Sequence, residues 1–559
     1  HFYGSSMKIT RRGMLLISTA FAFSSPFLSG QLQAQPADDR PVITVAVQQV
    51  VNSGSLDPLR EQSNVGSRVL PMIYSGLIQL DATGDMSQKP GIAESWKRID
   101  NNTVELKLRK GVKFHNGEEL TAEDVAFSFG PERMFGKTEP RRAQKDNQTI
   151  AVDNGKKQAT ANTDTTIEPP AEVVAIARRL WPSLEEVKVI DDYTVHLVNA
   201  MPDLTLEGRI ARSGSEIVSK KAYLASKDWN SWARGPVSAG PFKVKEFKPD
   251  QYLVLQAHDD YFGGKPSVKE IRYVVVPEVA SRINGLLSGQ YDFVTDIPPD
   301  QIKTIEANNK FEVVGGPVLN HRITVFDKSH PVLANPKVRQ AMSHAIDRDA
   351  IVQALWDNRT SVPAGLQWEY YGDMFLKDWS VPEYNPELAK KLLKEAGYNG
   401  EPIPYRALNN YYINQTQTAQ ILVEMWRAVG LNVELQMKEN WQQIFEKTNR
   451  GVRDWSNSAP YGDPVSSLVN QHGPNGQQQQ NGEWSNDEFN QLSLVLETSV
   501  DPAERKAAFQ RMLEISERED PAYTVLHSNA LFYGKRKDID WKWAPNFMMD
   551  FRAENVKFK

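Results

Sequence analysis

Cysteine is absent from all 559 residues. That removes thiolate nucleophiles, thiolate metal sites and disulfides together. No serine sits in a Gly-x-Ser-x-Gly elbow, and there is neither a P-loop nor a Gly-x-Gly-x-x-Gly run. His-Glu-x-x-His and the acid ladder of an EF-hand are also missing. Nine histidines are scattered along the chain. His321 and His330 are the best pair for a shared metal, yet two ligands do not make a site, and they read as surface or hinge residues. Asp191-Asp192-Tyr193 precedes a strand and reads as a turn rather than as a general acid and base. Thirteen tryptophans are more informative. Most belong in a core, but aromatic walls also grip polar ligands. Without a catalytic constellation, these residue types favour binding over turnover, and no metal or cofactor is expected.

The elements that must position such a site alternate between strand and helix. Val42 to Val47 is small or apolar almost throughout, as in a strand buried on both faces. Thr103 to Arg109 alternates as a half-buried strand does. Tyr193 to Val198, Tyr252 to Gln256 and Ile271 to Val276 read as further strands. Thr121-Ala122-Glu123-Asp124 opens a helix, with an acid near its positive end. Residues 280–289 form a helix that stops at Gly289. Val338 to Trp356 reads as one amphipathic helix, with Val338, Ala341, Met342, Ala345 and Ile346 on its apolar stripe. Asn385-Pro386 caps another, which ends at Gly397, and residues 415–429 give one more. This alternation predicts α/β lobes. Residues 136–170 read as a polar surface excursion, and 473–482 as a Gly/Asn/Gln-rich loop.

The chain is long enough for two large lobes. Hydrophobic residues make up 40% and charged residues 24%, as in an ordinary globular protein. Residues 1–6 precede Met7 and read as a tag remnant. From Met7, the cations Lys8, Arg11 and Arg12 lead into an apolar run over Met14 to Leu28, followed by Leu32-Gln33-Ala34. This is the pattern of a signal peptide cleaved near Ala34, and the run is too short for a spanning anchor. Thr10-Arg11-Arg12-Gly13 is similar to a twin-arginine signal without its usual Phe. Removing residues 1–34 takes away three cations and no acid, so the formal charge goes from −5 to −8. No basic stripe exists to attract phosphate backbones, so nucleic acid is not an expected partner.

Several blocks resemble the peptide/nickel/opine family of bacterial extracellular solute-binding proteins, receptors of ABC importers. The segment AESWKRIDNNTVELKLRKGVKFHNGEELTAEDVAFSF, from Ala93 to Phe129, carries the resemblance most strongly. Leu56-Asp57-Pro58, Ser238-Ala239-Gly240-Pro241-Phe242 and Asp260-Tyr261-Phe262-Gly263-Gly264 resemble other family blocks in order. So do Val338-Arg339-Gln340-Ala341 and Ala345-Ile346-Asp347-Arg348. The resemblance covers nearly all of residues 41–559. It implies an α/β, two-lobed periplasmic-binding-protein fold with two hinge crossings and an extra subdomain inserted in the first lobe. The chain would leave lobe one near Asn320 to Val325 and return near Tyr523 to Ser528. Lobe one would hold 41–320 and 526–559, with the inserted subdomain at about 86–190, and lobe two 321–525. The implied protein is a periplasmic monomer that delivers a small-molecule ligand to ABC permease subunits in the inner membrane.

The resemblance also implies where ligand is held. Peptide-binding members carry a loop whose first acid pairs with the peptide ammonium, because a buried, unpaired ammonium is costly. Here the loop reads Asn457-Ser458-Ala459-Pro460-Tyr461-Gly462-Asp463-Pro464, and Pro460 stands at the anchor position. No acid lies between Asp454 and Asp463. The expected solute therefore lacks a peptide-like ammonium and is polar or anionic, in the manner of opines, sugars or carboxylates. Asn52, Ser53 and Gly54 lie in the first strand-to-loop turn, a common contact region. His321 and Arg322 sit at the first crossing, where Arg322 can hold a carboxylate bidentately. Trp368, Tyr370, Trp455, Asn457, Tyr461 and Asp463 complete the expected ligand contacts, and Tyr371 is a further cleft aromatic. Two alternatives stand beside this reading. One is a dipeptide or oligopeptide receptor whose acid comes from elsewhere, such as Asp454 or Asp463. The other is an exported hydrolase.

Overall fold

The computed structural model describes residues 36–136, 142–145, 148–151 and 167–559. The leader and its cleavage site near Ala34 lie outside the described residues, as does most of the 136–170 excursion. The body described below is Arg40–Lys559. No helix among the described residues is long and apolar enough to cross a membrane.

One ten-stranded mixed sheet runs through both lobes. Its order is Phe242–Lys248, Tyr252–Ala257, Glu270–Val275, Val42–Val47, Phe293–Val294, Tyr523–Arg536, Phe311–Phe326, Val452–Ser458, Ile403–Leu408 and Val433–Lys438. Val42–Val47 pairs in parallel with both of its neighbours, which explains its uninterrupted apolar sequence. The two long central strands, Phe311–Phe326 and Tyr523–Arg536, pair antiparallel with each other. Their register breaks between Pro317 and His321, midway along the pair. Five strands lie on one side of this pair and three on the other. The fold is thus two α/β lobes joined by two hinge crossings.

The apolar cores divide in the same way. One cluster takes residues from Ile43 to Val318 and from Ala530 to Val556, with Trp356 and Ile413 reaching into it. Two others are drawn from Ile323 to Val525 and from Phe326 to Leu526. A separate four-stranded sheet, ordered Ala93–Asp100, Thr103–Leu108, Thr194–Asn199 and Leu184–Asp191, builds the extra subdomain.

Several sequence signals become local structure. Thr121 and Asp124 form a reciprocal capping box on the helix Ala122–Ser128. Asp57 is fully buried, where it pairs with Arg133 at 2.9 Å and accepts from Trp232 Nε1 at 3.0 Å. The Leu-Asp-Pro block is therefore a tertiary lock. Two readings need correction. Val338 to Trp356 is two helices, Pro336–His344 and Arg348–Trp356. Asp347 breaks the run, because its side chain caps the second helix by accepting from Ala350 N. The 473–482 loop contains a single helical turn, Gln477–Gln480.

Candidate functional site

A cavity of about 670 Å³ lies between the lobes, a size suited to a small molecule. Its first wall starts at the loop that follows strand Val42–Val47. Glu61 organises this loop from within. Its carboxyl accepts from Asn52 N at 2.9 Å, Ser53 N at 2.8 Å and Ser53 Oγ at 2.8 Å, and also from Ser63 Oγ. Burial raises the Glu61 pKa, and these donors oppose the rise. Gly54 takes φ +69°, which the turn requires and other residues rarely adopt. From this turn Asn52 Nδ2 donates to Tyr411 OH across the lobes at 2.9 Å. Asn64 Nδ2 reaches Ser456 Oγ at 3.0 Å.

The opposite wall is aromatic. Tyr411 packs edge-on against Tyr412 and Trp441, with centroids 4.9 and 5.1 Å away, and Trp441 stacks on Phe445. Trp455 and Pro460 also line it. Trp441 Nε1 is buried and has no hydrogen-bond partner among the described residues. Behind this wall Arg453 lies 4.7 Å from the Trp455 ring and is paired to Glu483 at 2.7 Å.

The first wall also carries four guanidiniums, of which Arg60 lies 3.8 Å from Glu172 and Arg552 pairs with Asp550 at 2.8 Å; Arg179 and Arg212 are the other two. Helix Ala171–Leu180 brings Arg179 to the cavity in its last turn, and Arg212 follows helix Leu206–Ala211 directly. Burial lowers both to about 10; the charge of Arg212 adds to the fall at Arg179, and that of Arg209 to the fall at Arg212. Glu216 stands beside Arg212 on the cavity wall, and burial raises its carboxyl to about 8.

Of the expected contacts, Asn52, Ser53 and Trp455 line the cavity. Gly54 shapes the turn without lining it. Arg322 is buried beneath the aromatic wall, 4.6 Å from the Tyr412 ring, and pairs with Asp454 at 2.9 Å. His321 is buried, stacks on Trp368 at 4.0 Å and contacts Gln367 O at 2.7 Å. His330 lies apart, beside Asn449. Tyr370 OH donates to Met86 O at 3.0 Å, an inter-lobe bond outside the cavity lining. Tyr371 is buried against Trp368 and Phe509. Asn457 Oδ1 meets His472 Nε2 at 2.6 Å. Tyr461 is buried against Gly208, and Asp463 pairs with Arg505 at 2.9 Å while capping the turn Pro464–Ser466. These eight side chains, Arg322 among them, support the wall or the closure rather than face the cavity.

Arg179, Arg212, Tyr411, Tyr412 and Trp441 went unread in the sequence. Arg178-Arg179 reads there as an ordinary cationic helix end. Tyr411-Tyr412 follows a strand and carries no motif. Among the described residues, no group of three or more His, Asp or Glu is arranged to hold a metal.

A family model described as bacterial extracellular solute-binding proteins, family 5, middle region, matches residues 87–479. The oligopeptide-binding protein AppA of Bacillus subtilis (strain 168) is 27% identical over 402 residues, covering 68% of this chain and 66% of that protein. Among solved structures, the periplasmic binding protein DppA from Helicobacter pylori, in complex with the peptide STSA, superposes with a TM-score of 0.78 at 20% identity. That match covers 92% of this chain and 98% of the other. AgaA from A. tumefacien R10, in complex with agropinic acid, superposes with a TM-score of 0.74 at 22% identity, covering 93% and 99%.

Proposed function

The chain belongs to family 5 of the bacterial extracellular solute-binding proteins, and on that premise we propose that it is the periplasmic receptor of an ABC importer. It closes two lobes on a small polar or anionic organic solute and presents the closed form to the permease subunits of the inner membrane. Lobe one comprises 41–320 and 526–559, with the inserted subdomain at about 86–190, and lobe two comprises 321–525. The division of the apolar cores supports the split into two lobes, with Trp356, Ile413 and Leu526 packing across it, while the sheet of the inserted subdomain extends to Asn199. Residues 1–34 are a tag remnant and a signal peptide cleaved near Ala34. The receptor works as a monomer, needs no cofactor and leaves its solute unchanged.

The observation that carries the ligand reading is the state of the acids around Pro460. Pro460 itself lines the cavity. Asp454 is committed to Arg322 at 2.9 Å and to Gln415 Nε2 at 3.0 Å, and Asp463 to Arg505. Neither is left to receive an ammonium. Solutes of the opine, sugar-acid or carboxylate kind need no such partner. The neighbouring folds hold a peptide in one case and agropinic acid in another, so the side chains, not the fold, must decide.

The peptide reading is favoured by the name of the B. subtilis relative. It needs a free acid at the cavity, where Glu61, Glu172 and Glu216 are the carboxyls available. Glu61 is consumed by its own loop, Glu172 lies 3.8 Å from Arg60, and burial raises the Glu216 carboxyl to about 8. Isothermal titration of the purified chain separates the two readings. We expect opine-like or sugar acids to bind and ordinary dipeptides to fail. Dipeptide binding at about micromolar Kd or tighter overturns the ligand reading.

A further inference from the structure

Resting on the reading of a solute without a peptide-like ammonium, we propose that Arg179 and Arg212 form a carboxylate-binding subsite on lobe one. The imported solute is then an organic acid.

Guanidiniums held inside this fold fall into two patterns, with two exceptions. Each carries five N–H donors and cannot readily shed its charge, so burial demands acceptors. Arg133, Arg209, Arg322, Arg453 and Arg505 each pair with a carboxylate, at 2.6 to 2.9 Å. Arg282 and Arg348 have no ion pair among the described residues but are filled by backbone carbonyls and hydroxyls. Arg348 bonds Val525 O, Ile346 O, Pro382 O, Ser343 Oγ and Thr524 Oγ1. Arg282 bonds four carbonyl oxygens.

The buried Arg212 and the half-buried Arg179 fit neither pattern. Arg212 donates to Gln62 Oε1 at 2.7 Å and to Ser213 O at 3.1 Å, both neutral. Arg179 donates once, to Asn475 O at 3.2 Å. Among the described residues no carboxylate forms an ion pair with either. Both line the cavity that a solute enters. Glu216 does not cancel them, since it forms no ion pair with either among the described residues, and burial raises its carboxyl to about 8. Arg209, nearby, is already occupied by Asp203 at 2.6 Å and Glu497 at 3.4 Å.

Two forked guanidiniums beside a cavity match a planar oxyanion, which they can bind with paired, charge-assisted hydrogen bonds. Inorganic phosphate and sulfate share that chemistry. The aromatic wall of Tyr411, Tyr412 and Trp441 favours an acid with a carbon body. Arg179 donates to Asn475 O of lobe two, so the subsite is completed as the lobes close.

The test titrates the full chain and its variants R179Q, R212Q and R212K with glutarate, citrate and galacturonate. Glutaramide, galactose, inorganic phosphate, sulfate and dialanine complete the panel. We expect the acids to bind the wild-type chain and the neutral analogues to fail. Each Gln variant should bind the acids roughly 10- to 100-fold more weakly, the loss of a charged hydrogen bond, with R212K less affected. Circular dichroism melting of the unliganded variants separates loss of binding from loss of fold, and R212K keeps the test valid if R212Q does not fold. The proposal fails if no acid binds, if neutral analogues bind as well as acids, or if affinity in both Gln variants stays within about threefold of wild type. Tighter binding of phosphate or sulfate than of any organic acid overturns the organic-acid assignment. Dialanine binding that R212Q abolishes overturns the reading of the ligand's amine while keeping the subsite. Dialanine binding that neither Gln variant weakens overturns both.

Discussion

Arg212 and Arg322 are both buried guanidiniums, yet their surroundings give them opposite uses. Arg322 meets Asp454 at 2.9 Å and spreads over the Tyr412 ring, so it stiffens the cavity wall from behind. Arg212 meets two neutral oxygens and lines the cavity. Glu216 adds a titration to this site. Burial raises its carboxyl from 4.5 to about 8, Asp57 reinforces the rise, and Gly214 N, Arg133 and Arg212 oppose it. An acid whose folded pKa is raised binds more protons in the native state than in the unfolded one. Its stability contribution is therefore complete below 4.5 and is lost as pH rises through about 8. We expect the wild-type chain to lose stability relative to Glu216→Gln across that window, measured by denaturant unfolding at several pH values. Parallel stability curves for the two proteins would sink the assignment. Solute affinity should fall over the upper part of the same window, as a negative charge develops beside Arg212.

At the scale of elements, closure depends on how a short helix of lobe one meets a loop of lobe two. Gly208, in helix Leu206–Ala211, lies so near Tyr461 that a Cβ would sit 2.5 Å from ring atom Cδ2. Next to it, Arg209 reaches Glu497 at 3.4 Å. Gly208→Ala improves intrinsic helix propensity by about 1 kcal/mol but places a methyl where the ring must dock. We expect this variant to melt no lower than wild type without solute, yet to bind its solute more weakly. Unchanged affinity in calorimetry would show that this contact does not contribute to closure. The helices near the hinge act differently. Arg339 reaches Asp520 at 2.9 Å and Arg348 reaches Val525 O at 2.6 Å, so this helix pair clamps the return strand. The family block that contains them is a structural brace rather than a ligand contact.

For the whole molecule, two long strands carry the connection between lobes, and their mutual pairing breaks between Pro317 and His321. Such a local break lets two rigid bodies rotate without tearing the sheet on either side. A solute gripped by both lobes favours the closed form by its difference in affinity for the two forms. Saturation with a bound acid should shrink the radius of gyration in small-angle scattering. It should also stabilise the native chain by about 2.7 kcal/mol at roughly 100 times its Kd. A solute that binds without either change would argue against lobe closure.

The sequence by itself determined the family, the alternation of strand and helix, and the two-lobed fold. The alternation follows from local periodicity, and the family and its two-lobed fold from the resemblance of short blocks, some of whose residues act close together, such as Thr121 with Asp124. The sequence also named Asn52, Ser53 and Trp455, which line the cavity. Single-helix periodicity over Val338 to Trp356 failed for a local reason, since the Asp347 cap outweighed an apolar stripe that continues across it. Only the tertiary structure decided which charges are spent. Arg322 and Arg212 look alike in sequence, and the difference lies in partners more than a hundred residues away: Asp454 for one, Gln62 for the other. Charge pairing is a property of three-dimensional proximity, and a guanidinium is free for a ligand only when the fold brings it no acid.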